Sequence, residues 1–500
     1  MESMKQIYNP YLPLWEYVPD GEPHVFEGRV YIYGSHDIAN GTAYCQGDYV
    51  TWSAPEDDLT DWRYEGVIYR KTQDPSNADG KLELWAPDVT QGPDGRYYLY
   101  YCLAFNPEIG VAVSDSPAGP FEYYGHVHYP DHLMGGKVVA EDMPFDPAVL
   151  TDEDGRVYLY YGFAPAAEKG MIFSHCTDEG ADASLSETER QSENQKIPPV
   201  GENSMVTELE PDMVTVKYRP KILIPGGNYT MGTGFEGHGF FEASSIRKVG
   251  EKYYFVYSSH KSHELCYAVS DSPDKGFRYG GIIVSNGDIG LNGNRTPVNT
   301  LGNNHGGIVR INGDWYIFYH RQTNGTEFSR QGCAEKIYID ENGEIRQVEI
   351  TSYGLNKGPL KGSGNYPAAI ACHITSKNTL NWIDYDNPVV HMQTRIVEQK
   401  NESYITGITD QTVIGYKYFV IDKPKDIMLE IRGKFSGKIS VAADKEGKRT
   451  IGKREIQFDL HSWENYCIEL KSLPEEITAL YFIVEGQGSM DMRTLAFISR

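Results

Sequence analysis

Four ionisable residues stand at the same place in repeated segments of the chain, and their types suggest a chemistry. Glu22, Asp146 and Glu242 each begin a short strand that leads into a glycine-containing turn, and His305 begins another such segment. Two carboxyl groups on either side of a glycosidic bond are enough to hydrolyse it, one as acid and one as base. A third carboxylate raises the pKa of the acid by like-charge repulsion. The competing chemistry is a divalent cation bound by the carboxylates and the histidine.

The elements that must position these residues form a repeat. Each segment is a short strand, a turn with glycine and a tyrosine-rich strand, and glycine suits such tight hairpins because it tolerates positive φ. The five segments are EPHVFEGRVYIYGS from Glu22, APDVTQGPDGRYYLYYC from Ala86, DPAVLTDEDGRVYLYYG from Asp146, EASSIRKVGEKYYFVYS from Glu242 and HGGIVRINGDWYIFYHR from His305. Segments 110–125 and 266–281 also resemble each other, each with a third strand and an Asp-Ser-Pro turn.

Five repeats of antiparallel strands predict an all-β fold, a five-bladed β-propeller. The alternative is a sandwich of unrelated hairpins, which would not keep one register in all five segments. Because the innermost strands of a propeller line a central channel, their equivalent ends face one another. We therefore expect Glu22, Asp146, Glu242 and His305 to converge on one mouth of that channel.

The residue that would act as base is open between two acids. Aligning EPHV with DPAV favours Glu22, which then corresponds to Asp146. Asp20 lies two residues earlier and shares the same strand face, so a bulge at Gly21 would bring it into the base position instead.

The motifs resemble those of glycoside hydrolase family 43 over roughly residues 9–353. The matching segments are NPYLP…EPHVF…VYIYGSHD, LWAPDV, FDPAVLTDEDGRVYLYYG, FFEASSIRKVGEKYYFVYS and NNHGGIVRINGDWYIFYHR. The resemblance implies a five-bladed propeller that hydrolyses pentose linkages with inversion. It further implies Glu242 as general acid, Asp146 as the residue that orients it and tunes its pKa, and Glu22 as base. Most family members have Asp-Pro where this chain has Glu22-Pro23.

The resemblance also suggests residues around the reaction centre. His305 would lie beside a calcium ion, or its water shell, on the propeller axis; the alternative is a neutral histidine bonded to strand carbonyls. Arg321 would contact sugar hydroxyls, or else form a structural ion pair. Trp85 would either wall the pocket or wedge into the core. His238 would reach the rim, and Asp20, if it is not the base, would bind substrate.

A second domain is expected after a break rich in Gly, Pro, Ser and Lys. Short alternating strands then follow to the C-terminus, with the spacing of a β-sandwich of jelly-roll type. This region resembles carbohydrate-binding module family 6, on strand order and the segment GYKYFVID. The predicted domains are a catalytic propeller, residues 1–355, and a sandwich, residues 362–500, whose role is either to bind sugar or to support the propeller.

Composition limits the partners. The 70 acidic and 46 basic side chains give a formal charge of −24, which disfavours nucleic acid and anionic membranes but not a neutral sugar. The seven scattered cysteines contain no Cys-x-x-Cys pair, which argues against a disulfide framework or a zinc cluster. No secretion signal or membrane span is visible. These features favour a cytoplasmic protein.

Together these patterns and the family resemblance predict an inverting exo-glycosidase that releases terminal α-L-arabinofuranose from arabinoxylan-derived oligosaccharides or polysaccharides, without an organic cofactor. A β-xylosidase acting on xylo-oligosaccharides is the alternative within the same class. A non-catalytic sugar-binding propeller is the alternative from another class, because Glu22 departs from the usual Asp.

Overall fold

The computed structural model describes residues 5–141, 143–165, 202–324, 326–377, 393–421, 424–471 and 477–498. Five antiparallel sheets follow one another along the chain, and we refer to them as blades 1 to 5. Their strands are, in blade 1, β1 Glu22–Phe26, β2 Arg29–Tyr33, β3 Tyr49–Pro55 and β4 Arg63–Tyr69; in blade 2, β5 Leu84–Gln91, β6 Tyr97–Leu103, β7 Ile109–Ser114 and β8 Glu122–His126; in blade 3, β9 Ala148–Thr151, β10 Val157–Tyr161, β11 Ser204–Leu209 and β12 Lys221–Ile224; in blade 4, β13 Phe240–Val249, β14 Lys252–Ser259, β15 Glu264–Ser270 and β16 Arg278–Ser285; and in blade 5, β17 Ile308–Ile311, β18 Asp314–Gln322 and β19 Arg330–Ile337.

The five blades close into a ring, which confirms the predicted five-bladed propeller. The first strand of each blade contacts the first strand of the next, in the cyclic order β1, β5, β9, β13, β17 and back to β1. Each of the five predicted hairpins forms the inner two strands of one blade. The N-terminal segment packs on blade 5, where the backbone N–H of Tyr11 donates to the carbonyl of Gly332 in β19 (3.2 Å).

Tyrosine is abundant because the second strand of each blade is buried on both faces. Along a strand, alternate side chains point to opposite faces, so one set packs on the preceding blade and the other on the following blade. In blade 2, for example, Leu99 and Tyr101 join the core shared with blade 1, whereas Tyr98 and Tyr100 join the core shared with blade 3. The hydroxyls of Tyr33, Tyr100 and Tyr160 donate to backbone carbonyls of the next blade, as Tyr160 does to Pro273 (2.7 Å), which satisfies their polar ends.

The rest of the chain forms a sixth, nine-stranded sheet, as expected for a β-sandwich. Its strands are β20 Leu360–Lys361, β21 Gly364–Pro367, β22 His373–Thr375, β23 Arg395–Gln399, β24 Glu402–Ile408, β25 Thr412–Val420, β26 Asp426–Ala442, β27 Thr450–Glu469 and β28 Ile477–Ile498. The sheet encloses its own apolar core, against which Tyr8, Leu14 and Tyr353 pack. Lys417 joins it to the propeller through ion pairs with Asp288 (3.1 Å) and Glu349 (2.9 Å).

Helical structure within the described ranges is limited to single 3₁₀ turns, at Lys71–Gln73, Pro75–Asn77, Met134–Gly136, Gly227–Tyr229, Leu291–Gly293 and Ala368–Ile370. A search of these same ranges finds no helix of the length and apolarity that a membrane crossing requires.

Candidate active site

Asp20 and Asp146 occupy equivalent positions at the entrance of two inner strands. Asp20 stands two residues before β1, and Asp146 stands two residues before β9. Both have positive φ, 56° and 45° respectively, a conformation that is unfavourable for a residue with a Cβ and that concentrates at functional sites. Glu242 lies inside β13 at a register shift, and the following Ala243 also has positive φ (66°). The structure thus corrects the alignment of the repeats, because Asp20 rather than Glu22 corresponds to Asp146.

Arg330 and His320 stabilise the ionised form of the Asp20 carboxylate. Its Oδ1 lies 3.0 Å from Arg330 Nη1 and 3.2 Å from His320 Nδ1, and its backbone N–H donates to the same nitrogen. Burial opposes ionisation of Asp20, but the charge of Arg330 and the contact with His320 together lower its pKa well below the ordinary value. A buried carboxylate that stays charged is suited to accept a proton from water.

Arg330 is itself fixed from the opposite side. Its Nε and Nη2 donate to the two carboxylate oxygens of Asp37 (2.9 and 3.0 Å), a bidentate pairing, and its guanidinium lies over the ring of Tyr44. The side chain is almost completely buried, so its position is determined by these contacts. Arg330, His320 and Asp37 are not among the site residues that the sequence pattern predicts.

Glu242 and Asp146 have the opposite electrostatic environment. Burial raises the pKa of Glu242 to about 8, and the negative charge of Asp20 contributes to the rise. Burial and the proximity of Glu242 also raise the pKa of Asp146. Asp146 Oδ2 accepts a hydrogen bond from the backbone N–H of Ala243 (3.0 Å), which ties it to the strand that carries Glu242. The site therefore pairs a carboxylate that is charged at neutral pH with a carboxyl that keeps its proton, which is the arrangement that acid–base catalysis needs.

Glu22 lies in the channel instead of at this acid–base pair. It is fully buried, and its Oε2 accepts from Arg247 Nη2 (2.9 Å) and Ser245 Oγ (3.0 Å). A Cβ on Gly307 would clash with Ser245 Oγ and come within 2.7 Å of Glu22 Oε2, so a larger residue there would displace these side chains. Burial, followed by the neighbouring Asp88 charge, raises the pKa of Glu22 to about 8, although Arg247 lowers it.

His305 lies between the channel and the acid–base pair. Its Nδ1 is 3.6 Å from Asp146 Oδ2, and its Nε2 is 3.9 Å from Glu22 Oε1. Burial lowers the pKa of His305 to about 4, so the imidazole is neutral and offers a lone pair. Neither Nε2 nor Glu22 Oε1 has a hydrogen-bond partner although both are buried. Both atoms have lone pairs that could bind a metal, and together they fit one side of a site for a hydrated divalent cation.

Aromatic rings form a continuous wall that runs from Phe105 to Phe241. Trp85 contacts Phe105 and Phe145 with ring centroids 5.2 and 5.3 Å apart, and Phe163 connects Phe145 to Phe241 at 5.0 and 5.4 Å. Phe145 and Phe241 directly precede Asp146 and Glu242 in the chain. Phe105 is 90% exposed, so this end of the wall is available to a ligand. Trp85 is thus part of this wall rather than a wedge enclosed in the core.

Two residues expected at the pocket are found elsewhere. His238 packs on Tyr279 of the outermost strand of blade 4 and lies 2.6 Å from Glu264 through Nδ1. Arg321 follows His320 on β18 and therefore points to the opposite face, where it contacts Cys333 and Ala371. Within the described residues, Arg330 is the arginine that pairs with Asp20.

Comparisons with known proteins identify the family of the chain. Residues 27–196 match the family model "Glycosyl hydrolases family 43". A protein of Thermoclostridium stercorarium named "Xylosidase/arabinosidase" is 47% identical, over 98% of this chain and 98% of its own length. The chain belongs to glycosyl hydrolase family 43.

Solved structures share the fold of this family 43 member. A family 43 arabinoxylan arabinofuranohydrolase from Bacillus subtilis, in complex with cellotetraose, covers 98% of this chain and 97% of its own with 19% identity and a TM-score of 0.50. A GH43_1 enzyme from Xanthomonas citri complexed with xylose covers 70% of this chain and 95% of its own with 26% identity and a TM-score of 0.50. The first of these likenesses spans both the propeller and the C-terminal sheet.

One signal in the sequence favours Asp20. It stands eight residues before the turn glycine Gly28, and Glu242 stands eight residues before Gly250. Counting back from the turn selects Asp20, whereas matching the acid–proline pair selects Glu22. Arg330 offers no comparable signal, because its pairing with Asp20 joins positions 310 residues apart.

Proposed function

We propose that this family 43 protein is an inverting exo-glycosidase that releases terminal α-L-arabinofuranose from arabinoxylan-derived chains. The observation that carries the proposal is the pair formed by Asp20, fixed between Arg330 and His320, and the half-buried Glu242, whose pKa the charge of Asp20 helps to raise. The Thermoclostridium relative named xylosidase/arabinosidase, 47% identical, supports the substrate class.

Each residue then has a separate role. Glu242 keeps its proton at neutral pH and gives it to the oxygen of the departing sugar. Asp20 is the base that takes a proton from water as the water attacks the anomeric carbon. Asp146 orients Glu242 through the backbone of Ala243, and its own negative charge, when present, keeps the proton on Glu242. Arg330 keeps Asp20 charged and in place.

The aromatic wall provides the sugar-binding surface in this proposal. The apolar face of a sugar ring stacks on aromatic side chains. Phe145 and Phe241 directly precede Asp146 and Glu242 in the chain, and Trp85 contacts Phe145. Phe105, which is highly exposed, extends the surface towards the rest of the substrate.

We also propose that calcium binds on the propeller axis with His305 as its side-chain ligand. Support comes from the unpartnered Nε2 of this neutral histidine and from Glu22 Oε1 facing it at 3.9 Å. When bound, the cation supplies a positive charge near the carboxyl groups. His305 also lies 3.6 Å from Asp146, so its position affects the residue that orients the acid.

β-Xylosidase activity is the second candidate. It is favoured by the name of the Thermoclostridium relative, which includes both activities, and by the xylose bound to the Xanthomonas neighbour. A non-catalytic propeller is disfavoured. That alternative depended on Glu22 standing where the family usually has Asp, but Asp20 is the residue at the position equivalent to Asp146.

For the whole chain, we propose a catalytic propeller of residues 1–355 and a supporting sandwich of residues 362–500. Lys417 of the sandwich is buried and forms ion pairs with Asp288 and Glu349 of the propeller side. These pairs support a role for the sandwich in stabilising the propeller. We further propose a cytoplasmic location, which is supported by the free state of every cysteine in the described ranges.

Parallel assays with nitrophenyl α-L-arabinofuranoside and nitrophenyl β-D-xyloside test the proposal. We expect turnover of both substrates, with a higher kcat/KM for the arabinofuranoside. A preference for the xyloside would select the second candidate. A failure of the wild-type protein to turn over either substrate, at rates above those of Glu242→Gln, would refute the glycosidase proposal.

A further inference from the structure

A cleft lies at the seam between blade 5 and the C-terminal sheet, away from the carboxyl cluster. Its internal volume is about 40 Å³, which is room for a few waters or one small polar group, and it is partly open to solvent. Its polar lining includes Thr300, Arg321 and Thr323 from the propeller side and Gln393, Thr394 and Arg395 from the sandwich side. None of the described residues that line it is acidic, in a chain whose formal charge is −24.

Arg321 is the buried charge of this cleft. The residue is only 4% exposed. Its Nε lies 3.3 Å from Cys333 Sγ, and its Nη1 donates to the carbonyl of Ala371 (3.3 Å). Its Nη2 is buried without a hydrogen-bond partner. A guanidinium has five N–H donors, and burying its charge without a counter-charge is costly.

No carboxylate of the described residues forms an ion pair with Arg321. The carboxyl group of Glu335 interacts with it at longer range, but Asn9, Tyr319 and Thr351 already donate hydrogen bonds to that group. Burial raises the pKa of Glu335 to about 8, which leaves it mostly uncharged at neutral pH. Among the described residues, therefore, no ionised carboxylate balances the charge of Arg321.

We propose that this cleft binds a small oxyanion, either inorganic phosphate or the carboxylate of an acidic sugar. The Nη2 of Arg321, which has no hydrogen-bond partner in the protein, can donate to an oxygen of such a group, and charge-assisted hydrogen bonds of this kind are the stronger ones. Arg395 contributes a second positive charge on the other side of the cleft, and Thr300 contributes a hydroxyl. The ligand would then bridge blade 5 and the sandwich, since its contacts come from both.

The test is a titration of the full-length protein with phosphate and, separately, with glucuronate, in chloride buffer and with xylose as the neutral control. Binding is measured by calorimetry and by the shift of the thermal unfolding midpoint. We expect one equivalent of anion to bind and to raise the midpoint, whereas xylose does not bind this cleft. Binding of phosphate alone identifies an inorganic anion, and binding of glucuronate alone identifies an acidic sugar.

Variants locate the site. Arg321→Gln removes the charge at similar size and should weaken anion binding by about tenfold to a hundredfold. Arg310→Gln, an exposed arginine in the same blade, is the matched control and should bind as the wild type does. If Arg321→Gln does not fold, Arg395→Gln on the opposite wall takes its place. The proposal is overturned if neither anion binds the wild type, or if the cleft variant that folds binds as tightly as the control.

Discussion

Replacing Asp20 and Glu22 separately should give two different defects. Asp20→Ala removes the group that deprotonates water, while Arg330 keeps its bidentate pairing with Asp37, so the surrounding structure is retained. A positioned general base contributes roughly 10²–10⁴-fold to a rate, and we expect kcat to fall by about this factor. Azide is a small nucleophile that needs no deprotonation, so it should restore turnover of an activated substrate in this variant.

Glu22→Ala should damage stability instead of the chemical step. Its carboxyl group is fully buried and accepts hydrogen bonds from Arg247 and Ser245, and leaving these donors without their acceptor costs about 1–3 kcal/mol. We therefore expect a lower thermal unfolding midpoint, activity within the same order of magnitude at temperatures where the variant is folded, and no effect of azide. Glu22→Gln, which keeps the shape, should show the same pattern.

The assay is the hydrolysis of nitrophenyl α-L-arabinofuranoside with and without azide, beside a thermal melt of each variant. The reasoning would be refuted if Glu22→Ala were the inactive, azide-rescued variant and Asp20→Ala stayed active. That outcome would mean that the pairing with Arg247 does not keep Glu22 from the attacking water.

Further predictions concern the acid, the pH profile and the cation. Glu242→Gln should slow substrates with poor leaving groups far more than those with good ones; equal losses for both would remove Glu242 from the acid role. Because the pKa of Glu242 is raised to about 8 and its protonated form is active, kcat/KM should decline as pH rises through about 8. Because Arg330 lowers the pKa of Asp20, Arg330→Gln should move the acidic limb of the profile to higher pH, and an unmoved limb would contradict this coupling. Removing metal with a chelator should lower activity and calcium should restore it in the wild type, whereas His305→Ala should not respond to calcium; activity that is indifferent to both treatments would reject the calcium proposal.

The fold could be predicted because it consists of a local sequence repeat. Each hairpin is recognisable from a turn glycine followed by a tyrosine-rich strand, and few folds contain five such hairpins in the same register. The tyrosines that made the repeat visible are those that pack between blades, such as Tyr98 and Tyr100 in the core shared by blades 2 and 3. The sandwich was predicted from strand spacing alone, and its long strands β26 to β28 were not foreseen.

Site residues could be predicted only where they occupy equivalent positions of the repeat. Asp146 and Glu242 stand at repeat positions, and their convergence follows from the ring. The sequence favours Glu22 over Asp20 because Glu22-Pro23 matches the acid–proline pair Asp146-Pro147. In the structure, however, Asp20 occupies the backbone position of Asp146. Both residues have positive φ, which the sequence does not show. Arg330 lies outside the repeated motifs, and its role depends on a contact between distant parts of the chain.

Proton NMR of the first-formed sugar tests the central assignment most directly. If Asp20 activates water while Glu242 protonates the leaving group, water attacks the face opposite to the departing sugar, and the first product has the inverted anomeric configuration before mutarotation. A first product with the retained configuration would mean that one carboxylate attacks the sugar as a nucleophile, and the assignment of Asp20 as a base would be contradicted.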